Sequence, residues 1–448
     1  MIERFGNVFK VPELRRRVLF TFGMLMVYRI GGAIPTPGID TEALAQVFSQ
    51  RGRDVFAIYD LFAGGYFKQA TIFALGIMPH ISASIIFQLL GSVFPPLHKL
   101  QQEGPEGQRK INQWSRYLTV ALAAVQSIGV GGFLLQQSVN LVDSSFMFMA
   151  VVMITMTTGC IFIMWMGEQI TEHGVGNGIS LLIFIGIVAR LPHAIINQVR
   201  SIGQVDQGGL LPNLGLFALM VLTIAAVVFI TMGVRKIPVQ YAKRIVGRKV
   251  YGGQSTHIPL RVNTSGVMPI IFAQAIMLVP TTIVGFLPVS EGAEPGFIDW
   301  LASALEPTTF TYWIPYGLMI IFFSYFYTAI VFNPMDLARN MRQHGGFIPG
   351  VRPGARTAAH IDNILTKITL PGSVFLALIA AFPVIVITMF QLVFNTTVDP
   401  AFSDFFGGTG LLIVVGVALD TLEKVETQLL TRHYDGFLKR GKVRGRRG

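Results

Sequence analysis

Long apolar runs recur along the whole chain, and they constrain its fold more than any other feature. A helix that crosses the hydrocarbon core of a bilayer needs about 20 predominantly apolar residues. Only 13% of the residues are charged, against about 25% in soluble domains. We therefore predict an all-α membrane protein with ten transmembrane helices, and we exclude an ordinary soluble enzyme. The ten runs lie at 18–34, 72–94, 117–135, 146–167, 174–196, 214–232, 266–287, 313–332, 368–394 and 407–422.

Lysine and arginine are distributed unevenly between the connecting segments. If the N-terminus is cytoplasmic, the segments on that side hold 29 of the 35 lysines and arginines. Cations that flank transmembrane helices are retained in the cytoplasm. The distribution therefore predicts that both termini are cytoplasmic and that the net charge of +11 is mainly cytoplasmic.

Two internal matches relate the second run to the seventh and the fifth run to the tenth. Residues 76–83 match 266–273, and residues 178–186 match 408–416. Because each match joins runs that are five apart, an odd number, the two halves would be inverted in the membrane. We predict an N-terminal half at 1–205 and a C-terminal half at 206–448. The alternative is chance similarity between apolar segments.

The same four runs are interrupted by helix-breaking residues. Pro79, Pro269 and Pro280 break the second and seventh runs, and glycines within 174–178 and 407–410 open the fifth and tenth. Irregular backbone at membrane depth is tolerated only where protein buries it or where it lines a watery cavity. The four runs therefore predict a pathway across the membrane.

The residues of these runs indicate what the pathway carries. Coupled transporters place Asp, Glu, Lys or Arg at the midplane, but the only such residues in the ten runs are Arg29, Arg190 and Asp420, all near run ends. His80 is the one ionisable group close to a break, and we interpret it as a packed or interfacial imidazole in preference to a proton relay. The internal matches instead align isoleucines, and an apolar constriction can block ions by dewetting while it remains deformable. We predict a constriction for a large substrate. The alternative for each isoleucine is packing or lipid contact, and the rival functions are a secondary transporter and a membrane receptor for ribosomes.

Two kinds of connecting segment carry further signals. An outer stretch at about 61–70 is too short to span and too apolar for a solvated loop, so it is either a re-entrant stopper or a surface amphipathic helix. The predicted cytoplasmic loops at 233–265 and 333–367 and the C-terminal tail are strongly basic. Such loops suit phosphate backbone or acidic protein surfaces; the alternative is topogenic charge with anionic-lipid contact.

Several motifs resemble bacterial SecY, the family of the central subunit of the protein-translocation channel. The resemblance runs from about residue 5 to 437. It implies ten helices in two inverted halves. The channel would open sideways at a lateral gate, with runs two and three on one side of the gate and runs seven and eight on the other. Gln108 departs from it, because many members have a second basic residue there. The motifs are GQRKINQ at 107–113 with RYLT at 116–119, GVGNGIS at 174–180, IPVQYA at 237–242, GGFIPGVRPG at 345–354 and RHYDG at 432–436.

The resemblance also implies roles for individual residues. The pore ring would be Ile77, Ile81, Ile179, Ile183, Ile271 and Ile413. The plug would include Leu61, Phe62, Ala63, Gly64, Gly65, Tyr66 and Phe67. The lateral gate would include Ser82, Gln88, Gln126 and Gln274. Contacts with the motor or ribosome would be made by Arg235, Lys236, Lys243, Arg244, Arg248, Lys249, Arg352 and Arg356.

The implied function is passage of unfolded preproteins across the bacterial plasma membrane, with sideways release of hydrophobic segments into lipid. The implied partners are SecE, SecG, the SecA motor, the ribosome with its RNA, and the YidC insertase as a further candidate. No Gly-x-x-x-x-Gly-Lys-Ser/Thr phosphate loop occurs in the sequence. We therefore expect no enzymatic activity, cofactor or metal, and an external source of energy.

Overall fold

The structure is a computed structural model, and it divides into two compact units. The first comprises Met1–Pro192, Leu278–Ala302 and Gly416–Gly448, and the second His193–Met277 and Ser303–Val415. The predicted division at 205 and the end of the basic tail lie outside the described residues. The structure describes residues 11–50, 60, 62–137, 139, 141–142, 144–201, 210–241, 244–246, 249–251, 255–286, 304–305, 309–394, 402 and 408–440.

The described chain is mainly helical, as predicted. Its helices are α1 (Pro12–Gly31), α2 (Thr41–Gln50), α3 (Met78–Val93), α4 (Pro95–Gln102), α5 (Pro105–Gln136), α6 (Ser145–His173), α7 (Gly178–Val188), α8 (Leu191–Ser201), α9 (Leu210–Thr231), α10 (Met268–Phe286), α11 (Phe310–Val331), α12 (Pro334–Gln343), α13 (Ala355–Phe394) and α14 (Gly408–Arg440). Its strands are β1 (Val234–Tyr241), β2 (Arg244–Val246), β3 (Lys249–Tyr251), β4 (Ser255–Arg261) and β5 (Gly346–Phe347).

Each of the ten predicted runs coincides with at least one of these helices. By length and composition, six helices of the described residues can cross a membrane, and the bent pair α3 and α4 would make a seventh. The other predicted spans are α1, which has three arginines at 15–17, α10, which contains Pro280, and α14, which becomes charged at Asp420. The count of ten spans therefore rests on the sequence pattern.

In the first unit, α5 packs against both α3 and α6. A Cβ on Gly131 of α5 would lie 2.6 Å from Met149 Sδ of α6, so this glycine permits close approach of the two helices. Polar groups line the contact between α3 and α5. His80 Nδ1 lies 3.1 Å from Thr119 Oγ1. One helical turn away, Ser84 Oγ of α3 lies 3.2 Å from Ser115 Oγ of α5. These bonds satisfy polar groups that would be costly to bury unpaired.

The turn between α3 and α4 is sharp. The two helices are bent by 105° at Phe94, which has extended backbone and precedes Pro95 and Pro96. Proline removes a helix hydrogen bond and disfavours helical backbone at the residue before it. The local sequence therefore ends α3 and starts α4 in a new direction.

In the second unit, α11 packs along α13, and its aromatic side chains fill the interior. Tyr312, Tyr316 and Phe323 are fully buried. Phe272 of α10 meets Phe323 edge to face, with ring centroids 5.9 Å apart. This geometry is favoured by the aromatic quadrupole.

The same unit contains a small antiparallel sheet that we did not predict. Its strand order is β4-β1-β5, with Val234 opposite Arg261 and Gln240 opposite both Ser255 and Phe347. A separate pair is formed by β2 and β3. One core cluster lies under the sheet, and it consists of Ile237, Val239, Leu260, Met341, Ile348, Ile361 and Leu365. The basic loop at 233–265 is therefore folded, at least in its described part.

Candidate functional site

In the first matched pair of broken runs the local conformations agree, and in the second pair both helices begin at the matched glycine. Gly76 and Gly266, which correspond in the first match, have φ angles of 56° and 63°. This left-handed conformation is accessible to glycine without steric cost. In both places a helix begins two residues later, at Met78 and at Met268, with proline next. In the second match, α7 begins at Gly178 and α14 begins at the corresponding Gly408.

The hydrogen bonds at the first pair of breaks correspond as well. The N–H groups of His80 and Ile81 donate to Ile77 O at 3.1 Å each. The N–H groups of Ile270 and Ile271 donate to Val267 O at 3.1 and 3.3 Å. The shared Gly-x-Met-Pro sequence is sufficient to produce this local geometry. The matching helix starts agree with an internal repeat, and the division into halves stays a prediction.

The predicted ring residues are mostly buried. In the first unit, Ile77, Ile81 and Ile183 are buried and Ile179 is half-buried. In the second unit, Ile271 and Ile413 are buried. Burial disfavours exposure of these side chains to lipid but does not test the ring itself. The ring assignment stays a prediction.

The outer segment, residues 60–70, is mostly buried in its described part, and only Lys68 and Gln69 of that part are exposed. Phe62, Ala63, Tyr66, Phe67 and Ala70 are each no more than 5% exposed. Leu61, which belongs to the predicted plug, lies outside the described residues. A surface amphipathic helix would expose one face, so this burial favours the re-entrant alternative. The plug role stays a prediction.

Two consecutive glycines allow the outer segment to turn back on itself. Gly64 and Gly65 have φ angles of 74° and 91°. A Cβ on Gly64 would lie only 2.9 Å from the Cα of Gly186 in α7. The backbone of the outer segment therefore lies directly against the backbone of α7, at a distance that leaves no room for a side chain.

Charged and polar contacts also hold the outer segment. Arg190 Nη2 donates to Asp60 Oδ2 at 2.8 Å, and the backbone N–H of Lys68 donates to Asp60 Oδ1 at 3.1 Å. Arg29 Nη1 donates to Tyr66 Oη at 3.1 Å. Burial raises the pKa of the Tyr66 hydroxyl above its ordinary value, and the Arg29 guanidinium opposes that rise. Sequence reasoning recorded both arginines only as charges near run ends.

The predicted gate residues are not alike in their surroundings. Gln274 is buried, and its Nε2 donates to Tyr312 Oη at 3.2 Å. Gln126 Oε1 is buried without a hydrogen-bond partner in the described part of the chain. Ser82 and Gln88 are half-buried. An unpaired buried amide oxygen is costly, so Gln126 is suited to a contact made in another state of the molecule.

Six of the eight predicted docking residues are described, and they lie on strands β1 to β3, in the loop after β5 and at the start of α13. Arg235 and Lys236 are exposed on β1, and Arg352 and Arg356 are exposed after β5. Arg244 and Lys249 belong to β2 and β3. The predicted contacts Lys243 and Arg248 lie outside the described residues. Exposed cations on a rigid sheet suit recognition of an anionic surface.

The whole chain can be compared with known proteins. A family model described as SecY matches residues 71–422. A protein translocase subunit SecY from Streptomyces scabiei is 43% identical over 98% of this chain and 100% of its own length. The chain belongs to the SecY family. The resemblance noted in the sequence is thereby confirmed, as is the predicted function of a channel subunit in protein translocation, at the level of the family.

Solved structures agree on the fold. A SecY structure, described as having a plug domain that stabilises the closed state of the translocation channel, matches with a TM-score of 0.63 and 18% identity. Sec61 in the canine ribosome–channel complex matches with a TM-score of 0.60 and 16% identity. Each match covers 95% of this chain and 97% of the other. The SecY fold predicted from the sequence is confirmed.

Proposed function

We propose that this chain is the central pore of a general secretion channel, which conducts unfolded preproteins across the plasma membrane and releases apolar segments sideways into lipid. The observation that carries the proposal is the pair of repeated helix breaks in a member of the SecY family. Broken helices at membrane depth are stable where they line a pathway. A coupled transporter would also need a charged site at the midplane, which the sequence does not offer.

The constriction is formed by the six isoleucines at 77, 81, 179, 183, 271 and 413. Aliphatic side chains exclude water and ions when they meet, and they deform around an extended polypeptide without leaving unpaired polar groups. The outer segment is the plug of the resting channel. Its burial against α7, which carries Ile179 and Ile183, supports this role.

The lateral gate uses weak polar contacts that are easily exchanged. Neutral hydrogen bonds inside a membrane protein contribute about 0.6 kcal/mol on average. Ser82, Gln88, Gln126 and Gln274 are neutral, so the hydrogen bonds that they make are broken at a low cost in free energy when a helix passes the gate. A gate made of buried ion pairs would require much more energy to open.

The energy for transport comes from outside the chain, from the SecA ATPase or the translating ribosome. SecE, SecG and YidC associate within the membrane. The motor and the ribosome are bound by eight cations of the loops at 233–265 and 333–367, namely Arg235, Lys236, Lys243, Arg244, Arg248, Lys249, Arg352 and Arg356. Both termini are cytoplasmic, in keeping with the distribution of lysine and arginine. The docking loops then face the compartment that contains the motor and the ribosome.

Reconstitution tests the proposal. The chain is assembled with SecE and SecG in lipid vesicles, and SecA, ATP and an unfolded preprotein are added outside. Protease-protected preprotein is expected to accumulate only with ATP, because the chain has no motor of its own. The matched control contains vesicles without the complex. Preprotein that stays protease-sensitive in the complete system would contradict the proposal.

A further inference from the structure

Asp60 is a buried carboxylate that the proposed pathway does not use. Its side chain is 0% exposed, and its Oδ2 accepts a hydrogen bond from Arg190 Nη2 at 2.8 Å. Its Oδ1 accepts from the backbone N–H of Lys68, and its backbone oxygen accepts from Gly65 N at 2.8 Å. One residue therefore fixes the turn of the outer segment and also ties that segment to the end of α7.

The burial of the Asp60 carboxylate makes its stability depend on the contact with Arg190. A carboxylate taken out of water is strongly unfavourable unless a cation and hydrogen bonds replace its hydration. Arg190 supplies the charge, and with 29% of its side chain exposed it stays near water. Asp60 is therefore stable in its buried position only while the outer segment lies on α7. When the segment leaves, both groups regain water.

The position of Arg190 links this ion pair to the proposed constriction. Arg190 directly follows Ala189, the C-cap of α7, where the helix dipole favours a cation. The same helix carries Ile179 and Ile183 of the predicted ring. Gly186, which touches the outer segment, lies between the ring positions and Arg190. One short helix thus contributes to the constriction and also anchors the segment.

A second arginine strengthens the attachment. Arg29 of α1 donates to Tyr66 Oη, and its guanidinium carbon lies 5.7 Å from the centre of the Tyr66 ring. Tyr66 also meets Tyr28 edge to face at 5.3 Å. This contact combines a neutral acceptor with a cation–π interaction, which is weaker than a buried ion pair. Of the two arginine contacts, the one with Asp60 therefore dominates.

We propose that the Asp60–Arg190 ion pair is the latch of the resting channel: it holds the outer segment on α7, and a translocating chain opens the channel by breaking it. The inference rests on the proposed function, because it treats the outer segment as the plug. Its consequence is specific. The resting ion leak increases when this charge pair is broken, while transport of a preprotein does not require the pair.

Planar bilayers that contain the complex with SecE and SecG test the latch, with resting conductance measured before any preprotein is added. Asp60→Asn keeps the shape of the side chain but removes its charge. Resting conductance should rise on the order of tenfold, the effect of losing a charge-assisted hydrogen bond on a two-state equilibrium. Arg190→Gln should do the same, whereas Arg190→Lys should stay near the wild type. Arg200→Gln, at an exposed arginine of α8, is the matched control and should not change conductance.

The double variant decides whether the two residues act as a pair. Asp60→Asn with Arg190→Gln should leak no more than the leakier single variant, because one missing partner already removes the interaction. The latch would be overturned if the conductance of the double variant rose by the product of the two single increases. It would also be overturned if Arg190→Gln and Arg190→Lys had equal conductance. If Asp60→Asn is not recovered as a folded complex, the difference in resting conductance between Arg190→Gln and Arg190→Lys alone decides whether the latch is correct.

The same preparations separate failure of the latch from failure of the proposed function. Vesicles made from each variant are also tested for ATP-dependent preprotein protection. A wild type that transports preprotein, together with an Asp60→Asn variant that leaks no more than the wild type, overturns the latch only. A wild type that transports nothing overturns the proposed function.

Discussion

At the scale of single residues, the proposed pathway depends on isoleucines, which carry no charge, and the proposed closed state depends on an arginine outside the ring. Ile81 and Ile183 could be nominated from the sequence because the internal matches align them with Ile271 and Ile413. The partner of Arg190 could not. Asp60 lies 130 residues away along the chain, and sequence spacing carries no information on a contact of that kind.

Replacement of Ile183 by asparagine tests the apolar seal. The asparagine amide can hold a water molecule in the constriction by one hydrogen bond, which contributes about 1 kcal/mol. The hydrated fraction of the constriction should therefore rise roughly fivefold. Resting conductance in planar bilayers should rise accordingly. Ile185→Asn, two residues further along α7 and half-buried, is the matched control. Equal conductance in the two variants would contradict the ring assignment.

Arg352 tests the docking surface. Its side chain is exposed, and its backbone oxygen accepts a hydrogen bond from Thr357 Oγ1 at 2.9 Å. Because substitution of the side chain leaves the backbone oxygen in place, this hydrogen bond should persist in the variant. Arg352→Glu should slow SecA-driven transport at least tenfold by placing like charge against an acidic partner, with unchanged thermal stability. Arg342→Glu, at an exposed position of α12, should transport normally. Wild-type rates for Arg352→Glu would remove this residue from the docking surface.

At the scale of elements, hydropathy located the helices, but it did not reveal the sheet. Val234–Tyr241 alternates in burial from Lys236 to Gln240, and Ile237 and Val239 point into the core. That period of two is a strand signal, and it was visible in the sequence. The seven cations of the loop lower its mean hydropathy, so hydropathy alone does not distinguish this strand from a connecting loop. The bend after α3 was signalled by two prolines, but its angle of 105° depends on packing.

The core cluster under the sheet should stabilise the docking surface. Ile361 of α13 is fully buried there. Ile361→Ala should lower the stability of this cluster by about 2–5 kcal/mol, because it removes buried methyl groups and leaves a cavity. Thermal unfolding of the purified complex should occur at a lower temperature. Met335→Ala, at a residue 53% exposed, should leave it unchanged, and equal shifts for both variants would argue against a packed core at Ile361.

At the scale of the whole molecule, the sequence predicts which elements lie on each side of the membrane, and the burial of side chains carries no information on that. The sorting of lysine and arginine places the sheet in the cytoplasm and α2 outside. Cysteines introduced at exposed positions, Lys236→Cys on β1 and Glu42→Cys on α2, should react with a membrane-impermeant thiol reagent from opposite sides. Cys160, the single native cysteine, is buried and should not react. Labelling of both introduced cysteines from one side would contradict the predicted topology.

The passage of polypeptide through the isoleucine constriction is tested most directly by crosslinking. A preprotein is stalled during ATP-driven transport, and disulfide formation is measured between a cysteine in it and single cysteines introduced at Ile81, Ile183, Ile271 and Ile413. Phe229, which is 80% exposed on α9, provides the lipid-facing control. We predict crosslinks at all four isoleucine positions and none at Phe229. Crosslinks at Phe229 with none at the four isoleucines would contradict a pathway through this ring.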